Sequence, residues 1–184
     1  MIRKICSFLL FKVMGWKVNV TIPLEDKCII ALAPHTSNFD FILGILYSRA
    51  TGMRSNFLMK KEWFFWPVGV IMRKLGGIPV NRSKKTSMTD QLAEIARQSH
   101  TFHLTITPEG TRSLREEWKK GFYYIALKAQ IPILLYAVDY PSKLICCTKS
   151  IIPNGDIDEQ MKEIKLYFKD FKGKHPEKFS IGTV

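Results

Sequence analysis

The feature that most constrains the fold is an alternation along the chain of short apolar runs of strand length with stretches whose apolar residues recur every three or four positions. That pattern is the signature of an α/β domain built around a largely parallel sheet. Lys27–Ala33 (KCIIALA) reads as a buried strand, and FDFILGILYS, residues 39–48, as the helix that follows it. A chain of 184 residues, 46% of them hydrophobic, can bury one sizeable core and is short for two. Residues 1–184 are therefore expected to form a single domain, with its centre at 27–140.

Further elements follow from the same periodicities. A strand is expected at 56–59, a helix from about Pro67 that stops at Gly76 and Gly77, and a strand at 78–81. Thr86 or Ser87 caps the next helix, with Met88, Leu92, Ile95 and Ser99 on one face. A strand at 102–107 precedes a helix at 121–129, whose Phe122, Ile125, Ala126 and Ala129 face the sheet. A buried strand at 131–138 and a helix at 157–171, with Ile157, Met161, Ile164, Phe168 and Phe171 inward, complete the series.

The first residues, MIRKICSFLLFKVMGW, contain an unbroken apolar stretch only from Phe8 to Phe11, far short of the ~20 residues of a membrane span. No small-residue cleavage site follows, so neither a transmembrane helix nor a secretory signal is expected. Ile2, Ile5, Leu9 and Val13 recur at helical spacing among Arg3, Lys4, Lys12 and Lys17. Residues 1–17 thus suit a short amphipathic helix, either lying in a membrane interface or packed on the domain.

With 28 Lys plus Arg against 16 Asp plus Glu, the net charge of +12 selects negatively charged partners: anionic lipid, nucleic acid or phosphorylated substrates. Cys6, Cys28, Cys146 and Cys147 form no C-x-x-C pair and no zinc spacing, so reduced thiols in a cytoplasmic protein and no metal site are expected. Cys28 and Cys146 lie in apolar runs and read as buried structural residues.

Three polar segments stand where chemistry belongs, at the carboxyl ends of expected strands. In Pro34-His35-Thr36-Ser37-Asn38-Phe39-Asp40, a histidine precedes a carboxylate in the first turn of a helix. A helix N-terminus keeps Asp40 ionised, and Asp40 can fix the His35 tautomer by accepting a ring N–H, which makes a general base. The alternative is that Ser37, Asn38 or Asp40 only caps the helix. In Thr107-Pro108-Glu109-Gly110-Thr111-Arg112-Ser113, Arg112 offers a planar fork to phosphate and Gly110 lets backbone approach a ligand. Gly76-Gly77-Ile78-Pro79-Val80-Asn81-Arg82 brings a second arginine.

These segments, in this order and with Ile131-Pro132-Ile133, resemble the glycerophospholipid acyltransferase family, best known for the lysophosphatidic acid (1-acyl-sn-glycerol-3-phosphate) acyltransferases. The H-x-x-x-x-D motif followed about seventy residues later by P-E-G-T-R is the specific part. The resemblance spans about residues 30–136 and implies a mixed, mostly parallel sheet flanked by helices. It makes His35 the base and Asp40 its partner. Glu109, Gly110, Thr111 and Arg112 become the acceptor-phosphate site, Arg82 a second phosphate contact, and Pro132 part of the acyl site or a structural residue. Asn81 stands where the family usually has an acid, and residues 131–136 lack a second proline, which leaves the acceptor open.

The implied reaction moves a fatty acyl group from an acyl carrier protein or coenzyme A thioester to the hydroxyl of a lysolipid, with no cofactor beyond that co-substrate. His35 removes the proton, and no acyl-enzyme is needed, in keeping with the lack of a G-x-S-x-G elbow. The oxyanion is expected to meet backbone N–H groups at the helix start. Lys60-Lys61-Glu62-Trp63-Phe64-Phe65-Trp66, with Arg73, Lys74, Lys84 and Lys85 nearby, reads as a basic aromatic patch for an anionic membrane surface. A peripheral protein at the cytoplasmic face of the membrane is expected, not a nucleic-acid binder. The competing class is a basic nucleic-acid-binding module, for which no recognised motif stands; a metal-dependent hydrolase would rest on the thin ligand set His35, Asp40 and Glu109.

Overall fold

Alternation along the central strands divides the core into two layers, one on each side of a sheet. The computed structural model describes residues 1–53, 55–80 and 88–183. In β2 (Lys27–Ala33), Ile29, Ala31 and Ala33 join one buried cluster, and Cys28 and Ile30 join the other. β6 (Ile133–Asp139) repeats the division, with Ile133, Leu135 and Ala137 on the first side and Leu134, Tyr136 and Val138 on the second. Successive side chains of a strand point to opposite faces, so strands buried on both must be apolar throughout.

The first side is covered by α4 (Met88–Gln98), α5 (Gly121–Ala129) and α6 (Ile157–Phe168), through residues such as Ala93, Ala126 and Ile164. The second is covered by α2 (Phe39–Thr51) and by α1 (Ile2–Ser7), which continues as a π-helical stretch over Phe8–Val13. The remaining strands are β1 (Lys17–Val20), β3 (Asn56–Lys60), β4 (Gly77–Val80), β5 (Phe102–Ile106), β7 (Leu144–Cys147) and β8 (Ser150–Ile151). A short helix, α3 (Val68–Lys74), joins β3 to β4.

The sheet runs β1-β7-β6-β2-β5-β3-β4, with β8 beside β6. Pairs are parallel except that β6 meets β7 and β8 antiparallel, so the sheet is mixed and mostly parallel, as expected. From β2 the chain crosses to β3 and β4, returns to β5 on one side of β2, and then places β6 on the other. Such a reversal opens a crevice at the carboxyl ends of the strands, where α/β sheets bind ligands.

Several boundaries differ from the sequence expectation for local reasons. α2 runs on to Thr51 and ends at Gly52, which takes the left-handed conformation (φ 83°) and bonds its N–H to Ser48 O at 2.9 Å. The strand expected from Ile131 begins at Ile133, because Ile131 N–H bonds back to Ala126 O (3.1 Å) and closes α5. α6 stops at Phe168, with Phe171 packed beyond its end. α4 turns Leu92, Ala93 and Ala96 inward and leaves Ile95 exposed; its alanines set the buried stripe facing α5, one step round from the expected face. The caps expected at Thr86 and Ser87 lie outside the described residues.

The first helix divides its apolar residues. Leu10 is buried and Cys6, Phe11 and Met14 pack against the α2 layer, while Ile2, Ile5, Phe8 and Val13 are exposed. Arg3 is exposed and donates to the last carbonyls of α2, Ala50 O (3.2 Å) and Thr51 O (3.0 Å). A guanidinium there complements the negative helix end. Among the described residues no helix is long and apolar enough to cross a membrane. All four cysteines are free thiols, and burial pushes Cys28 and Cys147 up to about 12. Cys28 and Cys147 stay protonated at neutral pH and are poor nucleophiles.

Candidate active site

β2 ends at Ala33, and the loop that follows carries His35 over the carboxyl end of the sheet into α2. Asp40, in the first turn of α2, faces back under this loop. Its Oδ2 lies 3.1 Å from His35 Nδ1 and accepts the amides of Thr36 and Ser37, each at 2.9 Å. The Tyr140 hydroxyl donates to the other oxygen, Oδ1. Capping and base-pairing, which the sequence left as alternatives, thus coincide in one carboxylate. Burial works against its charge, but the His35, Tyr140 and Ser37 donors outweigh it and hold the Asp40 carboxyl below its usual range.

With Asp40 accepting from Nδ1–H, the lone pair of His35 sits on Nε2. Nε2 bonds no described residue, and the side chain is 16% exposed, enough for a hydroxyl to reach it. The pair has the arrangement of a general base with a carboxylate fixing its tautomer.

Glu109 lies behind this pair. It is 3% exposed, its Oε1 accepts His35 N–H at 2.7 Å, and Oε2 is buried without a partner among the described residues. Burial, with the Asp40 charge adding to it, pushes the Glu109 carboxyl up to about 7. Its side chain braces the His35 backbone and does not face solvent.

The rest of the Pro108–Ser113 loop turns outward. Gly110 has φ +67°, and a Cβ there would lie 3.1 Å from Lys119 Cγ, so the turn needs glycine. Thr111 Oγ1 accepts Ser113 N–H at 3.2 Å. Arg112 is exposed and engages no partner among the described residues, which leaves its guanidinium open to an anion. Pro132 precedes β6 at the end of the sheet away from His35, and its carbonyl accepts Ile29 N–H (2.9 Å). Asn81, Arg82, Lys84 and Lys85 lie outside the described residues.

The amides expected to meet an oxyanion are mostly engaged. Those of Thr36 and Ser37 bond Asp40, and that of Phe39 bonds Ser37 Oγ (3.1 Å). The first two hold the loop's own carboxylate because Asp40 reaches back across it.

Residues 17–138 match the family model described as Acyltransferase. The chain belongs to that family. The match contains the whole of the His35–Asp40 loop and the Pro108–Ser113 loop. Among curated members, the human 1-acyl-sn-glycerol-3-phosphate acyltransferase beta is 27% identical over 146 residues, which cover 76% of this chain and 51% of that protein. The chain thus spans about half the length of that relative. The crystal structure of the 1-acyl-sn-glycerophosphate (LPA) acyltransferase PlsC from Thermotoga maritima superimposes with a TM-score of 0.62 at 20% identity. That match covers 91% of this chain and 76% of the other, and it shows that the acyltransferase fold is shared.

Two contributors to the site were not read from the sequence. Tyr140 is a hundred positions from Asp40, and only its place at the end of a strand hints at a role. Thr36 Oγ1 accepts His175 N–H (3.1 Å) from a segment after α6 that has no periodicity to mark it.

Proposed function

We propose that this protein is an O-acyltransferase that moves a fatty acyl group from an acyl carrier protein or coenzyme A thioester to the free hydroxyl of a lysolipid such as 1-acyl-glycerol-3-phosphate, in phospholipid biosynthesis. The observation that carries the reading is the His35–Asp40 pair, with Nδ1 held by a carboxylate and Nε2 open. His35 Nε2 takes the acceptor's proton as its oxygen attacks the thioester carbonyl. The tetrahedral adduct then collapses, the carbon–sulfur bond breaks, and the thiolate leaves with the proton held by His35. Arg112, with Arg82, binds the acceptor's phosphate, as guanidinium groups do where bidentate recognition is needed. Family membership and the names borne by the relatives support this reaction class.

One product of this reaction is a two-chain lipid, so the protein works at a membrane surface. Met1, just before α1, and Ile2, Ile5, Phe8 and Val13, on α1 and its extension, are exposed, and Trp66, near Lys61 and Arg73 in sequence, is 84% exposed. Apolar and aromatic side chains interspersed with lysines and arginines favour an anionic headgroup boundary, which supports reading the protein as peripheral, on the cytoplasmic face.

The test is transfer of a labelled acyl chain from acyl carrier protein or coenzyme A to a panel of lysolipids on vesicles, for wild type and His35→Ala. Transfer by wild type alone is expected and names the acceptor. If neither protein transfers from donors shown to be competent, the reading fails.

A further inference from the structure

Tyr140 follows β6 directly and lies beyond residues 17–138, the part that matches the family model. Asp40 Oδ2 already receives His35 Nδ1 and the Thr36 and Ser37 amides; Tyr140 is the one donor to Oδ1 among the described residues. Torsion of a carboxylate about its last bond is soft, and donors on one oxygen alone leave it free to rock. A donor on each oxygen fixes the plane.

We propose that Tyr140 is a positioning residue for the His35–Asp40 pair, and that residues 172–175 form a strap that holds Tyr140 and the His35 loop together. The proposal rests on the acyl-transfer reading for its kinetic consequence. Tyr140 N–H donates to Lys172 O (2.9 Å), and Lys172 N–H donates to Asp139 Oδ1 (2.8 Å), so the strap is tied to the end of β6 on both sides of its own peptide. Three residues on, His175 N–H donates to Thr36 Oγ1 (3.1 Å). Between these anchors the backbone at Gly173 lies directly on the loop. A Cβ there would stand 2.5 Å from Thr36 Oγ1, 2.8 Å from Thr36 Cγ2 and 3.2 Å from Pro34 Cβ. Trp16 meets the Tyr140 ring edge-on, with centroids 5.2 Å apart, and limits its movement from the other layer.

The arrangement has an electrostatic consequence as well. The hydroxyl draws carboxylate charge toward Oδ1, away from the oxygen that faces His35. Without it, Asp40 stabilises the His35 imidazolium more strongly and the base keeps its proton to higher pH. The other titratable groups around the pair are Glu109 from the loop after β5, and Lys174 and His175 from the strap, with the Lys174 ammonium 4.6 Å from the Phe39 ring centroid. Asp139 is engaged by Lys172 N–H and by Ser142.

The experiment compares wild type, Tyr140→Phe and Gly173→Ala in the full chain by steady-state acyl transfer across pH and by NMR titration of the His35 ring. Tyr140→Phe keeps the ring and its Trp16 contact. Its kcat is expected to fall about tenfold, the scale of one hydrogen bond to a charged group, with the acceptor KM within about twofold. Both the acid limb of kcat/KM and the His35 titration move to higher pH. Gly173→Ala leaves the hydroxyl in place and presses on Thr36, and its kcat falls about fivefold or more. Wild-type turnover in Tyr140→Phe, or a loss of turnover with the pH profile and the titration unmoved, overturns the positioning role. Should Tyr140→Phe fail to fold, wild-type turnover in Gly173→Ala overturns the strap. If wild type transfers no acyl group, the acyl-transfer reading has failed, and the His35 titration alone decides the coupling: movement in Tyr140→Phe supports it, and an unmoved titration overturns it.

Discussion

Replacing Glu109 by glutamine should flatten the pH dependence of the protein's stability. Glu109 is 3% exposed, accepts His35 N–H through Oε1, and has no partner for Oε2 among the described residues. Burial pushes its carboxyl from an ordinary value of 4.5 to about 7. A raised carboxyl pKa means that the folded state holds a proton which the unfolded chain has released. Stability from this group is therefore fully present below about pH 4.5 and is lost as pH rises through about 7. Integrating the linkage between pH 5 and pH 8 gives a loss of about 2.5 kcal/mol for wild type. Glutamine keeps a carbonyl for His35 N–H and does not titrate; its amide brings two N–H donors where the protonated acid brings one, a cost that is the same at every pH. Urea unfolding of both proteins at pH 5 and pH 8 checks this. Glu109→Gln should gain about 2–3 kcal/mol on wild type between the two pH values. Parallel pH dependences would refute the assignment of a buried, protonated Glu109.

Asp40→Asn replaces an oxygen that accepts up to three donors with an amide that disrupts them and no longer selects the His35 tautomer; acyl transfer should fall on the order of a thousandfold or more, measured at saturating donor. Leu10→Ala removes a fully buried side chain that seats the first helix on the α2 layer, and thermal or urea unfolding should show a loss of ~2–5 kcal/mol. Trp66→Ser changes a side chain that is 84% exposed, so stability should stay within about 0.5 kcal/mol while sedimentation with anionic vesicles weakens. Unchanged sedimentation would remove Trp66 from the membrane-facing surface.

The sequence was most legible where an apolar run ends sharply at polar residues. β2 and α5 have the expected bounds because their apolar runs end at polar loops, the first at Pro34 and His35, the second at Lys120 and Gln130. The edge was less legible. β1 (KVNV) is mostly exposed, and β7 and β8 are four and two residues long, so their pairing with neighbours, and not their own pattern, makes them strands. α4 was placed correctly but rotated, since alanine gives a weak hydrophobic signal yet allows the closest helix packing. His35 and Asp40 stand close enough in sequence for their pairing to be one of two local readings. Tyr140 and residues 172–175 allow no such local reading, because what joins them to the loop is strand order, which no short motif contains.

Strand register explains why residues so distant converge. Ala31 of β2 is level with Ile106 of β5, and Ala33 is level with Ala137 of β6. Counting on from the first pair brings Glu109 level with Pro34, beside the His35 amide that it accepts. Counting on from the second brings Tyr140 level with Thr36, beside the carboxylate that both engage. A slip of one residue in either pairing would also send each of these side chains to the opposite face of the sheet. The central strands are held against such a slip by apolar residues on both faces, with Ile29, Leu104 and Ile133 abreast in one layer. The buried pattern that makes the sheet therefore also sets the donors around Asp40. The β3–β4 excursion lies outside both registers, so its length can vary without moving His35, Glu109 or Tyr140 relative to one another.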